Sequence, residues 1–257
     1  MDVRLSATRR GVGRPEEGDR RARTTYHRPV IPLKDDLPSS RPALVTVTLI
    51  AVNVAVFLWQ VLGTGIEASV RIGGLVPAQL LGYDFGPPAL LPPVVTVLTS
   101  MFLHGSFLHI AGNMLFLWIF GNNVEDAFGH LRFLAFYLVA GVAAALAQTG
   151  ASAVTGGNEL VIPMVGASGA ISGVLAAYWL MFPRARVLTV VPIIIFIQLI
   201  YLPAWFFLGA WFVLQLLGAL LGGGAGGVAF MAHVGGFVAG LLLALAWRPR
   251  RRSRASW

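Results

Sequence analysis

Six long apolar stretches, separated by short polar pieces or by glycine- and proline-rich ones, dominate the pattern between residues 42 and 247. They cover about 42–62, 107–127, 132–151, 168–182, 203–221 and 229–247. A hydrocarbon core of ~30 Å takes about 20 helical residues to cross, so the pattern predicts six membrane-spanning helices and an all-α polytopic protein. Two regions fit less simply. The stretch 187–221 is almost continuously apolar over 35 residues but is interrupted by Pro192 and Pro203. We read it as an interfacial piece followed by one helix, with Pro203 in the first turn. The connection over 63–106 mixes Gly, Pro and apolar clusters such as Leu75-Val76-Pro77. A loop of that length that is not disordered has a role, and its apolar residues suit a loop embedded in the membrane.

Composition agrees with the pattern. Of 257 residues 56% are hydrophobic, 12% are charged and the mean hydropathy is +0.75, which excludes an ordinary soluble domain. No cysteine is present, so disulfides, thiolate metal sites and a cysteine nucleophile are excluded. The net charge of +8 invites a nucleic-acid reading, but the placement of the charge argues against one. Residues 1–41 hold ten of the nineteen basic and six of the eleven acidic residues without an apolar run. They read as a disordered cytoplasmic tail, and lack the apolar core and cleavage site of a signal peptide. With that tail inside, Arg132, Arg184, Arg186 and the arginines of the C-terminal tail 248–257 all return to the same side. Only Arg71 lies outside, so eighteen of nineteen basic residues obey the positive-inside rule. The expectation is a multi-pass protein of the cell membrane, of bacterial inner-membrane type, with both termini cytoplasmic. Two spans within 187–221 would send the C-terminal arginines outward, which is why one helix is preferred there.

Polar side chains at membrane depth mark functional sites. Ser168 precedes Pro183 by fifteen residues and His233 precedes Arg248 by fifteen, so each sits ~22 Å above the cytoplasmic end of its helix. Asn113, on a helix running the other way, falls ~18 to 24 Å above the same face. His109 lies one turn from Asn113 on the same helix face. The helix opening at Ser168 is short and is preceded by Gly156, Gly157, Pro163 and Gly166. Irregular backbone at that depth must be buried in protein or face water, so we expect an internal cavity open to water. A hydroxyl beside a base, with donors aimed at an oxyanion, is the apparatus of acyl transfer. Ser168 supplies the nucleophile, His233 the base, and Asn113, His109 and the Ser168 N–H the donors. The spans carry no acidic residue except Glu125 and Asp126 at one end, so a dyad replaces a triad. No His-Glu-x-x-His motif, intramembrane aspartate pair or membrane lysine offers another hydrolytic chemistry.

Each residue also has a plainer reading. Small residues such as those of Gly166-Ala167-Ser168-Gly169 commonly serve close helix packing, and Gly236 with Gly240 is read that way. A lone membrane histidine such as His233 can be an interhelical hydrogen-bonding group. His104 suits orientation of the outer loop, and Glu125 with Gly129 a helix end and turn. The conjunction of the residues at one depth favours chemistry.

Taken together these pieces resemble the rhomboid family of intramembrane serine proteases. The resemblance covers about 42–247 and rests on His104-Gly105-Ser106-Phe107-Leu108-His109-Ile110-Ala111-Gly112-Asn113, on Gly166-Ala167-Ser168-Gly169, and on Ala232-His233 followed by Gly236 and Gly240. It implies a six-helix bundle of the basic prokaryotic form, Ser168 as nucleophile, His233 as base, and His109, Asn113 and the Ser168 amide around the oxyanion. It further implies single-span membrane proteins as substrates, admitted laterally and cut near the outer face, with no metal or cofactor. The alternative within the same family is a catalytically inactive relative that binds membrane clients; a small transporter is disfavoured by the lack of intramembrane charge. Two departures stand out. Ser172 occupies the place one turn after the nucleophile where many members carry an aromatic residue against the histidine. The outer loop has Val70-Arg71 where some members have Trp-Arg.

Overall fold

The computed structural model describes residues 35–85, 88–193, 196–221 and 228–247. The expected tails over 1–34 and 248–257 lie outside these. Nine helices run through the described residues: α1 (Leu44–Trp59), α2 (Ile66–Gly73), α3 (Pro77–Leu80), α4 (Pro93–Thr99), α5 (Phe107–Phe128), α6 (His130–Thr155), α7 (Ser168–Met181), α8 (Ala204–Leu220) and α9 (Phe230–Trp247). The six longest, α1 and α5 to α9, coincide with the six apolar stretches. Three spans meet the length and apolarity needed to cross a membrane: Leu44–Thr64 (α1 with a π turn, Gln60–Thr64), α6 and α9. A fourth arises if Pro93–Phe102 and α5, which meet at 79°, are one broken span, and α7 and α8 are shorter apolar helices.

Helix ends in this fold are closed by neighbouring elements. Ser106 caps α5 by accepting the His109 N–H at 3.1 Å. Gly129, with φ of +82°, makes the turn from α5 into α6 and returns its N–H to the Glu125 carbonyl at 2.7 Å. The Glu125 side chain accepts the N–H groups of Val45 at 2.8 Å and Thr46 at 2.7 Å, the Thr46 hydroxyl, and a contact from His130. A carboxylate from α5 thus caps the first turn of α1, which has no cap of its own.

Residues 35–41, expected within the disordered tail, are docked on this same end of the bundle. The Asn123 amide donates to Asp35 at 2.6 Å, and the Tyr178 hydroxyl donates to the same oxygen. The Arg186 N–H donates to Asp36, and Ser40 donates to Asp126 through its N–H and through its single O–H, which is shared between the two carboxylate oxygens. Few apolar residues are needed here, because hydrogen bonds hold the segment: buried donors reach Asp35, and exposed bonds join Arg186 to Asp36 and Ser40 to Asp126. Burial pushes the Asp35 carboxyl above its ordinary pKa, against the opposing pull of the Tyr178 and Asn123 hydrogen bonds.

Two further regions differ from the sequence reading. The interfacial piece before Pro203 is an antiparallel hairpin of two strands, β1 (Arg186–Ile193) and β2 (Phe196–Pro203), paired from Arg186↔Pro203 to Ile193↔Phe196. Val, Ile and Thr in this stretch favour extended backbone, and Pro192 and Pro203 discourage helix. Pro203 is the residue before α8 and has extended backbone. The long connection over 63–106 is folded too, into α2, α3 and α4. Leu75 exchanges backbone hydrogen bonds with Met164 at 3.0 and 2.7 Å, and Leu75, Val76 and Ala78 are buried. That cluster therefore packs on protein, while Leu81, Phe85, Leu90, Val94, Val95 and Leu98 remain exposed.

The core centres on α7, whose residues Gly169 to Tyr178 are all buried. Phe120, Phe133, Phe136, Tyr137 and Tyr178 supply its largest side chains. On the α9 side no side chain intervenes. A Cβ on Gly236 would fall 2.0 Å from the Gly169 carbonyl oxygen, and one on Gly240 2.3 Å from the Gly173 Cα. A Cβ on Gly169 or Gly173 would in turn meet Ala144 or Ala140 of α6, each at 2.6 Å. This is backbone-to-backbone packing by small residues, as membrane helices use it.

Candidate active site

Four elements meet at Ser168. It is the first residue of α7, and the chain reaches it through Gly166, whose φ of +126° suits glycine and whose N–H bonds the Ser100 carbonyl at 2.8 Å. A Cβ on Gly166 would lie 2.7 Å from His109 Nε2 and 3.6 Å from Asn113 Nδ2. The missing side chain therefore lets α5 bring both residues up to the start of α7. Across the glycine crossing α9 presents His233, whose Nε2 lies 2.8 Å from Ser168 Oγ.

Ser168, His233, His109 and Asn113 line one cavity of about 750 Å³, together with Gln148 and Trp211. The cavity expected from the glycine-rich approach to α7 is thus present around these side chains. Asn113 is buried, and its Nδ2 has no hydrogen-bond partner among the described residues. An unsatisfied buried donor facing a cavity calls for an acceptor to arrive. The first turn of α7 adds N–H groups with no intrahelical partner and a positive end potential. The arrangement can accept a proton from a serine hydroxyl and supply donors to an oxygen that gains negative charge.

His104 does not line the cavity. It is fully buried, edge-on to the His109 ring with centroids 5.1 Å apart, and its peptide N–H and carbonyl are both held by the Gln60 amide, at 2.9 and 3.2 Å. Glu125 and Gly129 sit at the far end of α5, where Glu125 caps α1. Gly169, Gly236 and Gly240 form the α7–α9 contact. Ser172 is buried and donates its hydroxyl to the Ser168 carbonyl at 2.6 Å. Its side chain is thus engaged with its own helix.

What holds the His233 ring comes from α8. Gln215 Oε1 lies 2.8 Å from His233 Nδ1, and the Trp211 ring centroid lies 5.9 Å from that of His233. Sequence reasoning passed over Gln215, yet it is the only polar side chain besides tryptophan in the 17 residues of α8. A lone carboxamide in an apolar helix was the available signal. Gln148 was missed as well; its Oε1 accepts the Ala232 N–H at 3.2 Å, next to His233.

The Rhomboid domain family matches residues 92–250. Rhomboid protein 1, mitochondrial, of Saccharomyces cerevisiae is 31% identical over 150 residues, 58% of this chain and 40% of that protein. The human presenilin-associated rhomboid-like protein, mitochondrial, is 32% identical over 219 residues, 82% of this chain and 52% of that protein. The rhomboid protease AarA of Providencia stuartii is 29% identical over 210 residues, 79% of this chain and 72% of that protein. The chain spans about half or less of the length of these two mitochondrial relatives. With more than half of its length matched by the Rhomboid domain, and a mostly helical bundle bearing polar groups around an internal cavity, this chain belongs to the rhomboid family.

Proposed function

We propose that the protein is an intramembrane serine endopeptidase that cuts single-span membrane proteins by a Ser168–His233 dyad. The observation that carries this reading is the 2.8 Å approach of His233 Nε2 to Ser168 Oγ, inside a cavity that also holds the unpartnered Asn113 Nδ2. His233 takes the Ser168 proton as the oxygen attacks the scissile carbonyl. The tetrahedral oxyanion takes hydrogen bonds from Asn113, His109 and the Ser168 N–H. His233 then protonates the leaving amine, and water admitted by the cavity cleaves the acyl-enzyme by the reverse sequence. The similarity to a named rhomboid protease supports the same reading. The positive-inside asymmetry supports a cell-membrane location with both termini cytoplasmic.

Labelling of the detergent-purified protein with a fluorophosphonate tests this, with a single-span reporter substrate in liposomes alongside. Wild type should label and cleave. Ser168→Ala should do neither, and His233→Ala should lose about 10³-fold or more in either reaction while remaining folded. Folded wild type that neither labels nor cleaves would transfer the argument to an inactive client-binding rhomboid.

A further inference from the structure

We propose that Gln215 is a positioning residue for His233, a neutral third member that fixes which ring nitrogen carries the proton. This rests on the reading of His233 as the base for Ser168. A neutral imidazole has one donor nitrogen and one acceptor nitrogen. For His233 to take the Ser168 proton, Nε2 must be the acceptor, so Nδ1 must carry the hydrogen and needs an acceptor of its own. Gln215 Oε1 stands 2.8 Å from Nδ1.

The orientation of the amide has an independent anchor. The other end of the carboxamide, Nε2, faces the Trp211 carbonyl at 3.4 Å. A carbonyl only accepts, so the amide nitrogen belongs there and the amide oxygen belongs toward His233. Reversing the amide would set nitrogen against an N–H on His233 Nδ1, or else force the proton onto Nε2, where it would oppose attack by Ser168.

The same geometry explains how this chain dispenses with an aromatic residue at position 172. Ser172 is fully buried, next to Gly173 in sequence, and its hydroxyl is engaged with the Ser168 carbonyl. The ring is held from the opposite side, by Trp211 and Gln215, one turn apart on α8. Gln215 does not line the cavity, so it acts on the reaction only through the imidazole. A carboxylate in its place would demand burial of a charge at membrane depth. A carboxamide gives the acceptor without that cost.

The test uses full-length protein in detergent and two near-isosteric variants. Gln215→Met keeps the volume and removes the acceptor; Gln215→Glu keeps an oxygen at the same reach. Labelling of wild type but not Ser168→Ala by a fluorophosphonate establishes first that the dyad reading stands. Given that, Gln215→Met should label roughly tenfold or more slowly, because a part-buried Nδ1–H is left without its acceptor. Its KM for a reporter substrate should be unchanged, since the residue is outside the cavity. Gln215→Glu should restore the rate to within about fivefold. Nitrogen-15 spectra of labelled histidine supply a readout that packing would not move. His233 in wild type should show a protonated Nδ1 and an unprotonated Nε2, and Gln215→Met should show a mixture. Labelling of Gln215→Met at the wild-type rate, or a wild-type His233 protonated at Nε2, would overturn the proposal. The second of these needs no variant to fold.

Discussion

The two sides of the His233 helix are built on opposite plans. Toward α7, the closest contact of α9 has no side chains, because Gly236 and Gly240 lie directly on the backbone of Gly169 and Gly173, with His233 on Ser168 and Phe237 on Trp179 beside it. Toward α8, contact is made by large side chains, with Phe212 stacked on Phe237 at 4.3 Å and Trp211 and Gln215 on His233. α7 buries ten successive residues, whereas α8 buries only Ala204 and Leu208. A backbone contact fixes the separation of two helices, because nothing between them can change rotamer. A side-chain contact on an exposed helix sets orientation and leaves the helix freer to move. The distance between Ser168 and His233 is thus set by the first plan, and the direction of the imidazole by the second.

The largest effect should come from breaking the backbone contact. Gly236→Ala places a methyl 2.0 Å from a carbonyl oxygen, and should cost about 3 kcal/mol or more in a detergent unfolding titration. It should also abolish fluorophosphonate labelling. The same exchange at Gly209, which lies on α8 away from α9, should be harmless and serves as the control. A Cβ on Gly209 in α8 meets only the Trp179 indole nitrogen, at 3.8 Å, so Gly209→Ala should be neutral or add up to about 1 kcal/mol through helix propensity. Equal costs for the two glycines would erase the distinction.

A smaller effect belongs to Ser172. Its hydroxyl satisfies a carbonyl within its own helix, so Ser172→Ala should change stability by less than about 1 kcal/mol and leave labelling intact. A loss of activity there would mean that α7 also orients the imidazole.

The smallest effect lies at the cytoplasm-facing end of the proposed topology and should leave the α7–α9 contact untouched. The Asp35 carboxyl has a raised pKa in the folded protein, chiefly from burial. The folded state therefore holds the proton more tightly than the unfolded one. Stability from this group is greatest below the ordinary value of 3.8 and falls as pH rises toward the folded value, then stays level. Asp35→Asn keeps an oxygen for the Tyr178 and Asn123 donors without the charge. It should remove that pH dependence from the unfolding midpoint measured between pH 4 and 7. An unchanged slope would assign the dependence to another group.

Much of this was legible in the chain. Six apolar stretches gave six helices to within a few residues, since apolar length is a strong signal when lipid is the solvent. Equal depth singled out Ser168, His233 and Asn113, and helix-face spacing added His109; the fold gathers all four at one cavity. The hairpin over Arg186–Pro203 was less legible, because a short apolar run is compatible with either backbone form. The docking of 35–41 was hidden as well, since composition measures apolar content and this segment is held by hydrogen bonds.

By itself the sequence determined which residue types lie at which depth, because helical rise and bilayer thickness convert residue number directly into height. It also determined that no carboxylate could stand third behind His233. Which side of the imidazole is supported, and by what, was decided only in the tertiary structure. Rotation of α8 about its axis, and its placement beside α9 at the level of His233, depend on packing among several helices that no local pattern encodes. Only that packing turns a single carboxamide in an apolar helix into the acceptor for His233 Nδ1.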